Sequence, residues 1–251
     1  MPPRVSAKRK PSWGFFPNNL YQALNMSNYF NKVVMGVLTL LLPFASLLFV
    51  ACSEEDDTQE EYPNWQETNE TYFNKLYAEA NKRIAAGDKS WKVIPKWSLQ
   101  DTLHLDADDY IIAHVVNEGS GTETPIFSDT VLVHYQGRLL PSTSYPAGRV
   151  FEQTWLNEYN PKTMTPSKMG VSQTVKAVTQ NGQTTYQTSS NIDGFTTALM
   201  QMHEGDRWMV YIPYSLAYGT EATDNIPAYS TLVFDLTLAA FYHTGQVVPR
   251  F

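Results

Sequence analysis

The chain has 251 residues, 43% hydrophobic and 17% charged, which is enough apolar material for a packed core and excludes a chain disordered throughout. A formal charge of −7, with basic residues gathered only in the first ten positions and without interleaved aromatics, argues against a nucleic-acid surface. A single cysteine, Cys52, excludes an internal disulfide framework and a cysteine-based zinc site, and His104, His114, His134, His203 and His243 lack ligand-like spacing, so no metal or cofactor is expected.

Asn31-Lys32 leads into an uncharged apolar run over 33–51 that stops at Cys52, the shape of a secretory signal rather than of a core element. Its end, Phe49-Val50-Ala51-Cys52, resembles a bacterial lipobox with phenylalanine in place of the usual leucine. That resemblance implies cleavage before Cys52, which becomes an acylated N-terminal residue. A retained transmembrane helix is the competing reading, since about 20 apolar residues span a bilayer. Pro43 and the acid that follows Cys52 favour the lipoprotein. Met26 begins a compact signal peptide over 26–51, so residues 1–25 read as an over-extended start. Ser53-Glu54-Glu55-Asp56-Asp57 opens an acidic tether over 52–64, polar enough to stay solvated, which resembles the export signal of Bacteroidetes surface lipoproteins. Both features place the chain in a bacterial cell envelope, lipid-anchored at the outer membrane, on its periplasmic side or at the cell surface.

Trp65, Tyr72, Phe73, Leu76, Tyr77, Ala80 and Ile84 recur at helical spacing and predict an amphipathic helix, stopped by Gly87-Asp88. Its aromatic stripe reads as a face that docks on the domain. The rest of 65–108 is a connector without an assigned element. From 109 to 242 the texture is that of strands: 110–116, ended by the turn cluster Asn117-Glu118-Gly119-Ser120-Gly121, then 130–140, 207–212 and 231–238. In 130–140, Val131, Val133 and Tyr135 share one face, with Leu132 and His134 on the other. In 231–238, Leu232, Phe234, Leu236 and Leu238 share a face while Asp235 and Thr237 point outward. Phe195, Ala198, Leu199 and Met202 mark one short helix. The sum is an α+β fold, an antiparallel sheet wrapped around one short helix. An inserted hairpin over 172–190, with polar arms in 176–188, flanks Asn181-Gly182, a pair suited to a type I′ turn. Residues 243–251 form a tail.

No nucleophile–base pair, phosphate-cradling loop or nucleophile elbow stands out. An ordered series of aromatic blocks does: Val133-His134-Tyr135-Gln136-Gly137, Arg149-Val150-Phe151-Glu152, Ile192-Asp193-Gly194-Phe195, Ile212-Pro213-Tyr214-Ser215-Leu216-Ala217-Tyr218-Gly219, Ile226-Pro227 and Ser230-Thr231-Leu232-Val233-Phe234. Singly, each aromatic reads as an ordinary core residue. As a set they resemble the FKBP family of peptidyl-prolyl cis-trans isomerases over 110–242, with an insertion before the third block.

The resemblance implies an FKBP-like domain acting on X–Pro bonds of exported or envelope proteins. Its partners are proline-containing polypeptides, the membrane through the anchor, and macrolide inhibitors such as rapamycin, with no nucleic acid. It also implies that Tyr135, Phe151, Phe195, Ile226 and Phe234 line a prolyl pocket, that Tyr218 offers a hydroxyl at the rim, and that the Ile192 N–H meets a substrate carbonyl. Glu152 stands where the family has aspartate, one methylene shorter, and Phe195 where it has tryptophan. Ser167 and Asn191 fall where apolar wall residues are usual, leaving Met169 or the hairpin to rebuild that wall. The chemistry suits such residues: twisting an X–Pro bond removes amide resonance, so an apolar, water-poor pocket favours the twisted form without base or cofactor. A non-catalytic module gripping prolyl segments is the alternative, and a structural surface lipoprotein the third reading.

Overall fold

The aromatic stripe read in the sequence becomes the first element. A computed structural model describes residues 60–99, 105–156, 158–180 and 183–249. The apolar run, Cys52 and the acidic positions behind it lie outside these, and no helix among the described residues is long and apolar enough to cross a membrane. Helix α1, Trp65–Ala85, buries Trp65, Phe73 and Ala80, while Ile84 at the end of the stripe is 39% exposed. It ends where Gly87 takes φ 89°, donating to the Ile84 carbonyl as Asp88 donates to Arg83. These two bonds satisfy last-turn carbonyls, and the left-handed conformation between them favours glycine.

The stretch left unassigned contains strand β1, Trp91–Pro95, antiparallel to β2, Tyr110–Asn117. Then come β3 (Thr130–Arg138), β4 (Val150–Gln153), β5 (Ser167–Gly170), β6 (Gln173–Gln180), β7 (Gln183–Ser190), helix α2 (Asp193–Leu199), β8 (Arg207–Ile212) and β9 (Leu232–Tyr242). The main sheet has seven strands in the order β1-β2-β8-β9-β3-β4, with β5 also pairing β3, and all pairings are antiparallel. The residues Gly194 to Leu199 of α2 are buried, packed in one core with Ile111, Val133, Val210 and Leu236.

The hairpin runs from Gln173 to Ser190 as a separate two-stranded sheet, longer than its expected arms. Gln180 pairs with Gln183, and the turn residues Asn181 and Gly182 lie outside the described residues. Strand β9 continues to Tyr242, past the expected end at 238. A register shift in its pairing with β3 lets Ala240 to Tyr242 continue alongside Thr130 to Leu132.

The outer face of the sheet departs from the expected alternation. Leu132 and His134, on the face opposite Val131, Val133 and Tyr135, are also buried, at 3% and 2% exposed. The segment after β4 covers them: the Tyr159 ring meets His134 edge-on at 5.5 Å and packs on Trp155 at 4.7 Å. Asp235, expected outside, is buried there and held by Arg207 through bonds of 2.9 and 2.7 Å.

Burial holds the His134 imidazole below its ordinary pKa of 6.5. A depressed folded-state pKa contributes stability above the unfolded value that is lost as pH falls through the folded one. Thermal melts at falling pH are therefore expected to lose stability below about 6.5. His134→Phe should flatten that part of the profile.

Candidate functional site

A cavity of about 260 Å³ opens where α2 meets the concave side of the sheet. Its floor is a cluster of rings from three elements. Tyr135 of β3 meets Phe195 of α2 at 5.6 Å, and Phe234 of β9 lies 5.1 Å from Phe195 and 6.2 Å from Tyr135. Such edge-on and tilted pairs suit the charge distribution of aromatic rings. Register brings them together, with Gly137 opposite Phe234 on β9 and Glu152 on β4. A side chain at Gly137 would place a Cβ 2.5 Å from the Phe151 ring and 2.7 Å from that of Phe234, which explains the glycine of the first block. Gly194 is equally constrained, since a Cβ there would stand 2.3 Å from Ile212.

The Tyr135 hydroxyl donates to Glu152 Oε1 at 2.9 Å. Burial, then the Glu152 charge, pushes this phenol far above its ordinary value, so it stays neutral. Tyr218 follows a short 3-10 turn at Tyr214–Leu216 and lines the mouth, 43% exposed. Its phenol is also raised, by burial first and by the Glu152 charge second. Ile192 caps α2, its carbonyl accepting from the N–H groups of Phe195 and Thr196 at 3.1 Å each.

The opposite wall is polar: Ser167, Lys168 and Met169 of β5 face Ser189, Ser190 and Asn191 at the base of the hairpin. Asn191 fastens that base, donating from its side chain to the Gly170 and Val171 carbonyls at 2.9 Å each and from its N–H to Ser172. Met169 and the hairpin thus both contribute to the wall. Lys168, Ser189 and Ser190 carry no motif that marks them in the sequence.

Tyr135, Glu152, Ile192, Phe195, Tyr218 and Phe234 therefore converge on one cavity. Phe151 and Ile226 do not join that lining. Phe151 stands behind, its ring edge-on to Phe234 at 5.6 Å, in the space Gly137 leaves open. Ile226 is buried in the core and faces a separate cleft of about 440 Å³ beside Tyr62, Arg149 and Pro227. The loop carrying Ile226 is bolted to α1: Trp65 Nε1 donates to Ser230 Oγ at 2.8 Å, and Ser230 donates to the Pro227 carbonyl at 2.6 Å. Among the described residues, no group of three His, Cys, Asp or Glu side chains is placed to hold a metal ion.

An antiparallel sheet wrapped around a short buried helix, with an aromatic-floored cavity between them, is the FKBP-like fold. Residues 121–239 match the family model of FKBP-type peptidyl-prolyl cis-trans isomerases. The chain is 33% identical over 132 residues to a macrophage infectivity potentiator of Trypanosoma cruzi, covering 52% of this chain and 53% of that protein. It is 31% identical over 125 residues to the outer membrane protein MIP of Legionella longbeachae, covering 49% of this chain and 41% of that one. The chain thus spans about half the length of these relatives or less. A crystal structure of a peptidyl-prolyl cis-trans isomerase from Pseudomonas syringae aligns over 68% of this chain and 96% of its own at a TM-score of 0.40 and 24% identity.

Proposed function

We propose that this protein is a peptidyl-prolyl cis-trans isomerase acting on X–Pro bonds of exported or envelope polypeptides. The carrying observation is the ring cluster of Tyr135, Phe195 and Phe234 at the floor of a cavity whose rim bears Tyr218 and Ile192. A prolyl ring seated on this floor leaves water, and the less polar twisted amide is favoured there over the planar one. The Ile192 N–H holds the carbonyl preceding the proline while the bond turns, and the Tyr218 hydroxyl orients the chain at the mouth. The Tyr135–Glu152 bond fixes one floor ring and keeps its phenol uncharged. Isomerisation of a proline tetrapeptide, followed by protease-coupled assay, tests this directly. Binding without acceleration would replace it with a non-catalytic prolyl-binding module, the reading that the polar wall of Ser167 and Asn191 favours.

Tyr218→Phe keeps the ring and removes one hydroxyl, whose hydrogen bond is worth about 0.5–1.5 kcal/mol net. The expected loss in kcat/KM is several-fold to about tenfold, with an unchanged melting temperature. An effect confined to peptide affinity would instead support the binding module. Displacement of the peptide by rapamycin would extend the family likeness to macrolide inhibitors.

The Phe49-Val50-Ala51-Cys52 sequence supports a lipid anchor on Cys52, and the name of the Legionella relative supports an envelope setting. Cys52→Ala is expected to leave an uncleaved or soluble species, read by mass and membrane fractionation. Unchanged mass and fractionation would sink the anchor. A diacylated cysteine supplies the two chains that stable anchoring needs.

A further inference from the structure

A second cavity, of about 540 Å³, adjoins the aromatic-floored one, and Lys168 and Met169 of β5 belong to the lining of both. Phe127 lines this second cavity and is 42% exposed. Its ring stands 4.6 Å from that of Trp97, itself 41% exposed, and neighbouring Ile126 is 54% exposed. None of the three belongs to the buried core. Trp97 is nonetheless fixed, because its N–H donates to Thr197 Oγ1 of α2 at 3.0 Å, and α2 supplies Phe195 to the floor of the first cavity. A cluster of exposed large apolar side chains on a soluble domain marks a place where something docks.

Resting on the isomerase reading, we propose that the second cavity is a substrate subsite. It takes an aromatic or large aliphatic side chain of the same polypeptide whose proline occupies the first. The continuity of the two linings selects this occupant over an independent partner. The spacing follows from the strand between them. Ser167 lines the first cavity and Gly170 the second, three strand residues apart, or roughly 10 Å at about 3.3 Å per residue. An extended peptide running beside β5 covers that distance in the same number of steps. A side chain about three to four residues from the proline therefore reaches Phe127.

The test is exchange NMR on the whole protein with a short proline peptide and a longer series carrying one phenylalanine at successive distances before or after the proline. The expected result is a maximum in kcat/KM about three to four residues from the proline, about two- to tenfold above the alanine-bearing control, the range of one aromatic pair. Phe127→Ser should remove that gain while leaving the short peptide and the melting temperature unchanged, because the ring is half exposed. A flat series, or a gain that survives Phe127→Ser, overturns the subsite and leaves the isomerase reading standing. A wild-type protein that accelerates no proline peptide overturns the isomerase reading and the subsite with it.

Discussion

Phe234→Ala is expected to lose about 3–5 kcal/mol of stability and at least tenfold of isomerase activity. The ring is 4% exposed and packs against the rings of Tyr135, Phe151 and Phe195, so truncation leaves a cavity bounded by three aromatics drawn from separate elements. Each is held by its own backbone, and collapse into the space is limited. For a domain of this size the melting temperature should fall by roughly 6–20 °C. The variant must be assayed below that lowered midpoint, so that lost chemistry is separated from lost folding. Melting unchanged from wild type would mean that the floor is not part of the core. Activity unchanged in the folded variant would mean that the prolyl ring does not rest on Phe234.

The second large effect is expected far from the cavity. Asn69 of α1 is fully buried, with its Nδ2 donating to the Trp65 carbonyl at 2.6 Å and its Oδ1 accepting from the Thr231 N–H at 2.7 Å. Asn69→Leu keeps the branched shape and strands the Thr231 N–H at the entry to β9, a cost of about 1–3 kcal/mol. Urea unfolding should report this as a lower midpoint with an unchanged slope, the mark of altered stability within one cooperative unit. A wild-type midpoint would show that α1 unfolds independently of the sheet.

The legible parts of this fold are those fixed locally. The 3.6-residue stripe from Trp65 and the Gly87 stop specify α1, and the alternation of Arg207–Ile212 specifies β8 with its observed bounds. The aromatic blocks were legible because close approach dictates them: the rings of Phe151 and Phe234 leave no room for a side chain at Gly137. What escaped depends on partners remote in sequence. Trp91–Pro95 is too short to announce a strand, and only the facing residues of β2 make it one. Asp235 alternates as an outward residue should, yet it is buried, and Tyr159, from a segment without periodicity, packs on His134 of the neighbouring strand. Of the polar wall, Ser167, Met169 and Asn191 were legible beside the aromatic blocks, whereas Ser189 and Ser190 were hidden, because they reach the cavity only where Asn191 anchors the inserted hairpin to the turn after β5.

β1 lies at the rim of the main sheet, so on one side β2 has it as its hydrogen-bonded neighbour. The family match begins at residue 121, after both strands. A fragment cut at residue 109, where the strand-rich domain begins in the sequence, would bare the backbone N–H and C=O row of Tyr110–Asn117. That strand carries Ile111, Ile112 and Ala113 and is eight residues long. Such a row is a template for pairing with a second molecule. β1 itself carries Lys92 and ends in Pro95, residues that discourage further strand addition at a rim. Trp91–Pro95 therefore serves colloidal behaviour as much as stability: it exchanges an adhesive border for one that resists self-association.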